Sequence, residues 1–194
     1  MRPPSVFLAS LGAALLLAGA GGLGKGEEPP GLYELTARSE LVVSARVFSG
    51  STKLAQVRVL EVFRGPARPG QRLQIAFRDF NMSLAKEDRV VFTDGDTEIL
   101  FLEPEQDREG GRKRADRYTL VRGRFGRFTL PREGEEIYLE AVREFSSLAA
   151  LRDHRDLFRR LKDLVGSANP VLADAGLQEV LELDLMDRDM VPRV

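Results

Sequence analysis

The sequence predicts a mainly β protein with α structure at its C-terminal end. Three observations carry this. Between residues 40 and 143, short segments of alternating apolar and polar residues recur between glycine and proline breakers. After Phe145 the apolar spacing lengthens to the helical three to four residues. The 194 residues include no cysteine, so the core must hold by packing rather than by disulfides. Six to eight short strands at this spacing fit a closed or sandwiched antiparallel sheet, followed by a helical hairpin.

The chain opens MRPPSVFLASLGAALLLAGAGG, with Arg2, an apolar run from Val6 to Leu17, and small residues at Ala18, Gly19 and Ala20. That order of charge, apolar run and A-x-A-like site is a secretory signal peptide (residues 1–20), with cleavage expected after Ala20. The run is shorter than the ~20 residues a spanning helix needs. Retention as an N-terminal anchor is the alternative. The expected location is secreted or periplasmic, with no membrane span after cleavage. Residues 21–31, GGLGKGEEPPG, read as a flexible leader.

LYELTARSE (32–40) suits a short helix, and ELVVSARVF (40–48) a valine-rich strand ending at Ser49-Gly50-Ser51. LAQVRVLEVF (54–63) continues with Ala55, Val57, Val59 and Phe63 on one side of the pleat. RGPARPG (64–70) breaks it, and RLQIAF (72–77) alternates cleanly. RVVF (89–92) and EILFL (98–102) flank the turn pair Asp94-Gly95. An exposed charged loop is expected over 103–116. RYTLVRG (117–123), RFTL (127–130) and EEIYLEAV (135–142) then read as strands, completing a β domain over 32–143. In 144–194, Leu148, Leu151, Phe158, Leu161 and Val165 fall at helical spacing, with Ser146 or Ser147 as cap and Gly166 as stop. Asn169-Pro170 opens a second helix whose expected stripe is Ala173, Leu177, Val180 and Leu181. This hairpin is expected to pack on the β domain.

The order ELTARSELVVSARV, VRVLEVFRGPARPGQRLQI, VVFTDGDTEILFL resembles the netrin/tissue-inhibitor-of-metalloprotease-like OB barrel over residues 32–103. Ser39-Glu40 stands where that group has Ala-Asp, Ala45 replaces its glycine, and Arg64-Gly65 matches its Lys-Gly strand end. Gly95 with Leu100 and Phe101 matches its last hairpin. The closest likeness is to uncharacterised secreted bacterial proteins of this type. The resemblance implies a small antiparallel OB-like β-barrel plus a helical hairpin. Animal members inhibit proteases through an N-terminal cysteine, which this chain lacks, so that mechanism does not transfer.

The chemistry-bearing residues are few. His154 is the sole histidine and no G-x-S-x-G elbow exists, which disfavours a Ser-His-Asp triad. Asp94, Asp96 and Glu98 form D-G-D-T-E, the one metal candidate, but the EF-hand pattern is not met and a hairpin turn is the preferred reading. Glu133 and Glu135 would share a strand face beside Glu136, although polar surroundings argue against a catalytic pair. Asn81-Met82-Ser83 is a glycosylation sequon of consequence only in a eukaryotic pathway.

VRGRFGRFTL (121–130) is the most site-like stretch. It reads as a hairpin whose Arg122, Arg124 and Arg127, with Arg112, Lys113 and Arg114, are candidates for binding a partner or polyanion. The charges nearly balance, 29 basic against 30 acidic, so no global field favours nucleic acid, and none is expected as a partner. The expected function is a non-catalytic, cofactor-free binding or structural module with a protein partner in the cell envelope. The alternatives are a binder of anionic polymers through the arginines and a carboxylate-based envelope hydrolase.

Overall fold

A computed structural model describes residues 29–51, 53–77, 89–106 and 113–190, with residues 106, 113–115 and 184–190 described by their backbone alone. The signal segment, residues 21–28 of the leader, the sequon and Arg112 lie outside the described residues. The elements in order are α1 (Leu32–Arg38), β1 (Leu41–Gly50), β2 (Leu54–Arg64), β3 (Arg72–Ala76), β4 (Thr97–Gln106) and β5 (Lys113–Leu120). A 3₁₀ turn (Gly123–Gly126), β6 (Arg127–Thr129), α2 (Glu135–Leu148), α3 (His154–Val165) and α4 (Pro170–Met190) follow. No described helix is long and apolar enough to cross a membrane.

Five strands close into a barrel in the order β1-β2-β3-β5-β4 and back to β1, an OB-type arrangement. Closure rests on the antiparallel β1–β4 register from Leu41↔Leu102 to Arg46↔Thr97. One pairing, β3–β5, is parallel. Leu41, Val43, Ala45 and Val47 of β1 point into the barrel against Val57, Val59, Leu73, Ile75, Leu100 and Leu102. Phe77, Val90 and Phe92 fill one mouth, with the Phe77 and Phe92 rings 5.2 Å apart.

Outside the barrel, Val42, Ile99 and Phe101 face a second core formed with α1, α2 and the α3/α4 hairpin. Arg143 of α2 holds Glu61 of β2 through two hydrogen bonds of 2.8 and 2.9 Å. Asn169 fixes the start of α4. Its Oδ1 accepts from Val171 and Leu172 N–H, while its Nδ2 donates to the Ile137 carbonyl of α2. The helices thus form one layer over one side of the barrel.

The expected charged loop over 103–116 is in part strand, since β4 runs through Gln106 and β5 begins at Lys113, and four further local expectations change. Residues 135–142 are helical: Tyr138, Leu139, Ala141, Val142, Phe145 and Leu148 are the buried set, a 3.6-residue period visible only in a window longer than eight residues. Glu135 and Glu136 sit in the first turn, where the helix dipole favours carboxylates. Glu133 and Glu135 therefore do not share a strand face, and both are exposed.

Residues 89–92 alternate in burial without joining a ladder, because Val90 and Phe92 plug the barrel mouth instead. Leu148 ends α2, and α3 starts anew at the exposed His154, capped by Asp153 Oδ1 accepting from Arg155 N–H at 2.8 Å.

The fourth change concerns α4. Its buried face is Val171, Leu172, Gly176 and Glu179, while the expected stripe residues Leu177 and Leu181 are 45 % and 55 % exposed. Glu179 explains this rotation. The N-cap of α1 is Gly31, with no side chain to offer, and the Tyr33 N–H donates instead to Glu179 Oε1 at 2.9 Å. A Cβ on Gly31 would overlap that carboxylate. The α1 cap is thus supplied by α4, 146 residues away.

Burial pushes the Glu179 carboxyl up to about 7, with the neighbouring carboxylates Glu182 and Glu34 acting in the same direction and the Tyr33 and Glu34 N–H groups opposing it. The folded state therefore holds the proton more tightly than the unfolded chain. This contribution to stability is full below 4.5 and is lost as pH rises through about 7. Between about pH 5 and about pH 8, wild type is expected to lose roughly 2–3 kcal/mol more stability than Glu179→Gln in denaturant titrations. Parallel pH profiles for the two proteins would contradict this.

Candidate partner-binding face

The stretch 121–130 is a crossing rather than a hairpin. β5 and β6 do not pair with one another; both pair with β4, at Leu102–Gln106 and at Glu98–Leu100 respectively. Between them Arg122 and Gly123 take left-handed backbone conformations, φ 53° and 58°. Gly126 passes so close to the Val121 carbonyl that a Cβ has no room. Phe125 and Phe128 pack into the helix-side core, with Phe128 5.1 Å from the Tyr138 ring.

The arginines of this stretch diverge. Arg122 Nε lies 3.3 Å from Glu34 Oε1 on α1. Arg124 lies over the Phe125 ring at 5.0 Å. Arg127 turns to the barrel mouth, where Nη2 donates to Glu98 Oε1 at 2.8 Å and to Thr129 Oγ1 at 3.1 Å. Its Nη1 meets the Val91 carbonyl, and its guanidinium lies 4.5 Å from the centre of the Phe92 ring. Arg127 is thus a structural counter-ion, not a surface cation. Lys113 and Arg114 are backbone positions in β5.

The D-G-D-T-E carboxylates diverge as well. Asp94 Oδ1 accepts from Gly50 N–H at 2.8 Å, closing the turn. Glu98 is fully buried on the barrel side of β4. Burial raises its pKa, and Arg127 and Thr129 pull against that rise. No group of three or more metal-ligating side chains occurs among the described residues. Asp94 and Asp96 instead line an open cleft of about 330 Å³ with Arg46, Thr97, Arg132 and Glu135.

The strongest charge feature lies elsewhere, on the side of the barrel the helices leave uncovered. The β1–β2 register sets Arg46 opposite Arg58, and the β2–β3 register sets Arg58 opposite Arg72. All three are exposed. With neighbouring strands about 4.8 Å apart, the three arginine positions follow one another in steps around the barrel wall. No carboxylate among the described residues lies within ion-pair distance of them; Arg72 leans over the Phe48 ring at 5.4 Å.

Outward on β2 and β3 beside the row are Leu54, Gln56, Leu60, Gln74 and Ala76, while the outward acid of β2, Glu61, lies beyond Leu60 and is held by Arg143. Phe48 and Leu60 are 40 % and 43 % exposed on this face. Like charges directly opposite on adjacent strands repel. The neutral overall charge conceals this segregation.

Linear reading missed the row because residues 46, 58 and 72 are scattered in sequence and only strand pairing aligns them. The available signal was outward parity: each arginine alternates with inward valine or leucine. No protein-family model matches the chain, and a search of curated proteins finds no significant match.

Removal of Arg127 tests its structural assignment. Arg127→Ala leaves the Glu98 carboxyl buried without its counter-ion and is expected to cost about 3 kcal/mol at neutral pH, and less as the pH falls and Glu98 takes up a proton. Arg122→Ala, at an exposed pair, is expected to cost under about 1 kcal/mol. Equal costs in chemical denaturation would contradict the distinction.

Proposed function

We propose that this chain is a secreted or periplasmic, non-catalytic binding module whose uncovered β1–β2–β3 face takes an acidic surface of a protein partner. One observation carries the proposal: Arg46, Arg58 and Arg72 stand in register across three strands with no carboxylate partner among the described residues. Such a row raises the energy of the free protein and is relieved by an incoming anion. Exposed Phe48 and Leu60 beside it favour a protein over a uniformly charged polymer, because they offer apolar contact within a charged frame. The signal-peptide pattern of residues 1–20 supports the location. The resemblance of residues 32–103 to the netrin/tissue-inhibitor-of-metalloprotease-like barrel is part of this reading, and the closed five-stranded barrel is compatible with it.

A fluorescent glutamate-rich peptide is the first probe. Wild type is expected to bind it with affinity that falls as salt is added. The triple variant Arg46→Glu/Arg58→Glu/Arg72→Glu is expected to bind at least about tenfold more weakly. Arg155→Glu, on exposed α3 outside the face, is expected to bind like wild type. Equal binding by wild type and the folded triple variant would overturn the assignment.

A further inference from the structure

The β1–β2 ladder is interrupted at three places, each by one extra residue. The register steps from Val42↔Arg64 to Val43↔Val62, from Ser44↔Glu61 to Ala45↔Val59, and from Val47↔Val57 to Ser49↔Gln56. The residues passed over are Phe63, Leu60 and Phe48, and all three are large and apolar. Bulges serve closure of the barrel, because they bend a strand and increase its twist. Closure does not call for an apolar side chain where the bulge faces water. Phe63 has a use of its own, since it packs into the core between barrel and helices. Leu60 and Phe48 lie on the open face and are 43 % and 40 % exposed.

The register sets these two on either side of the arginines. Arg46 stands opposite Arg58; Phe48 follows Arg46 along β1, and Leu60 follows Arg58 along the antiparallel β2. Along the strands the order is therefore Leu60, the Arg58/Arg46 pair, Phe48. Arg72, opposite Arg58 on β3, leans over the Phe48 ring at 5.4 Å, so that ring lies on the arginine side of the sheet. We propose that Phe48 and Leu60 are the apolar anchors of the partner site, taking a protein segment in which an acidic residue lies between two apolar side chains. The inference rests on the binding face assigned above and adds the partner's pattern. Each anchor is two strand residues, about 7 Å, from the arginine pair, so one short segment lying along two adjacent strands reaches all three stations. The arginines attract and orient the acid, while the anchors supply apolar area removed from water. A uniformly charged polymer offers the anchors nothing, and a purely apolar segment leaves the arginine repulsion unrelieved.

The experiment uses short fluorescent glutamate-rich peptides of equal length and charge. One carries leucine two residues before and two residues after a central glutamate, and another carries alanine at both positions. Wild type is expected to bind the leucine peptide at least about fivefold more tightly than the alanine peptide. Phe48→Ala/Leu60→Ala is expected to lose that preference while binding the alanine peptide like wild type. Leu177→Ala/Leu181→Ala, which removes two leucines exposed on α4, is expected to keep the preference. If wild type binds both peptides equally, or if the preference survives in the folded Phe48→Ala/Leu60→Ala variant, the anchors are overturned while the arginine-row assignment stands. If a peptide with both leucines at one end binds as tightly as the flanked one, the proposed order is overturned. If wild type binds none of these peptides and the glutamate-rich probe also fails, the binding face itself is wrong.

Discussion

Closure of the barrel between β1 and β4 holds one face of β1 inward along its length and leaves the other face to whatever lies outside. Leu41, Val43, Ala45 and Val47 fill the interior. On the outward side, Val42 and Ser44 are buried, whereas Arg46 and Phe48 are exposed. The environment changes within two residues. The helix layer covers the first half of β1 and the adjoining parts of β4 and β2, and beyond it the outward face of β1, β2 and β3 stands open. The open face is therefore the complement of the helix layer, and its boundary is set by where that layer is anchored.

Those anchors are polar and specific. Arg143 ties α2 to Glu61 of β2, Asn169 ties α4 to α2, and Glu179 reaches from α4 to cap α1. The last is the costliest, since a carboxylate is buried beside two others, and its gain is that α1 needs no cap of its own. Gly31 is small for the same reason. At the barrel mouth, Arg127 performs a comparable task for Glu98, with Phe92 shielding the guanidinium. Both arrangements show charged residues serving architecture, which is why a count of arginines did not identify the site.

Much of the fold was legible in sequence, and the failures have physical causes. β1 to β4 and the start of α4 at Pro170 followed from alternation, breakers and the Asn-Pro cap. Residues 135–142 did not, because a short apolar run satisfies both periods and the deciding residues, Phe145 and Leu148, lie beyond it. The orientation of α4 was hidden because burial of Glu179 in place of Leu177 depends on an N-terminus 146 residues away. Arg122, Arg124 and Arg127 are neighbours in the chain and point to different partners. Arg46, Arg58 and Arg72 are distant in the chain and adjacent in the sheet, a relation that no linear window contains.

On the proposed reading, these three arginines are held together at a cost to the free protein. Arg58 is the middle of the row, so neutralising it removes both repulsions at once. The direct measurement is the thermal unfolding midpoint of Arg58→Gln against wild type at low ionic strength, without any ligand. A higher midpoint is expected for the variant, by about 2–4 °C, shrinking as salt is added. A lower midpoint would show that Arg58 stabilises its own sheet, and the row would lose its standing as a surface kept for a partner.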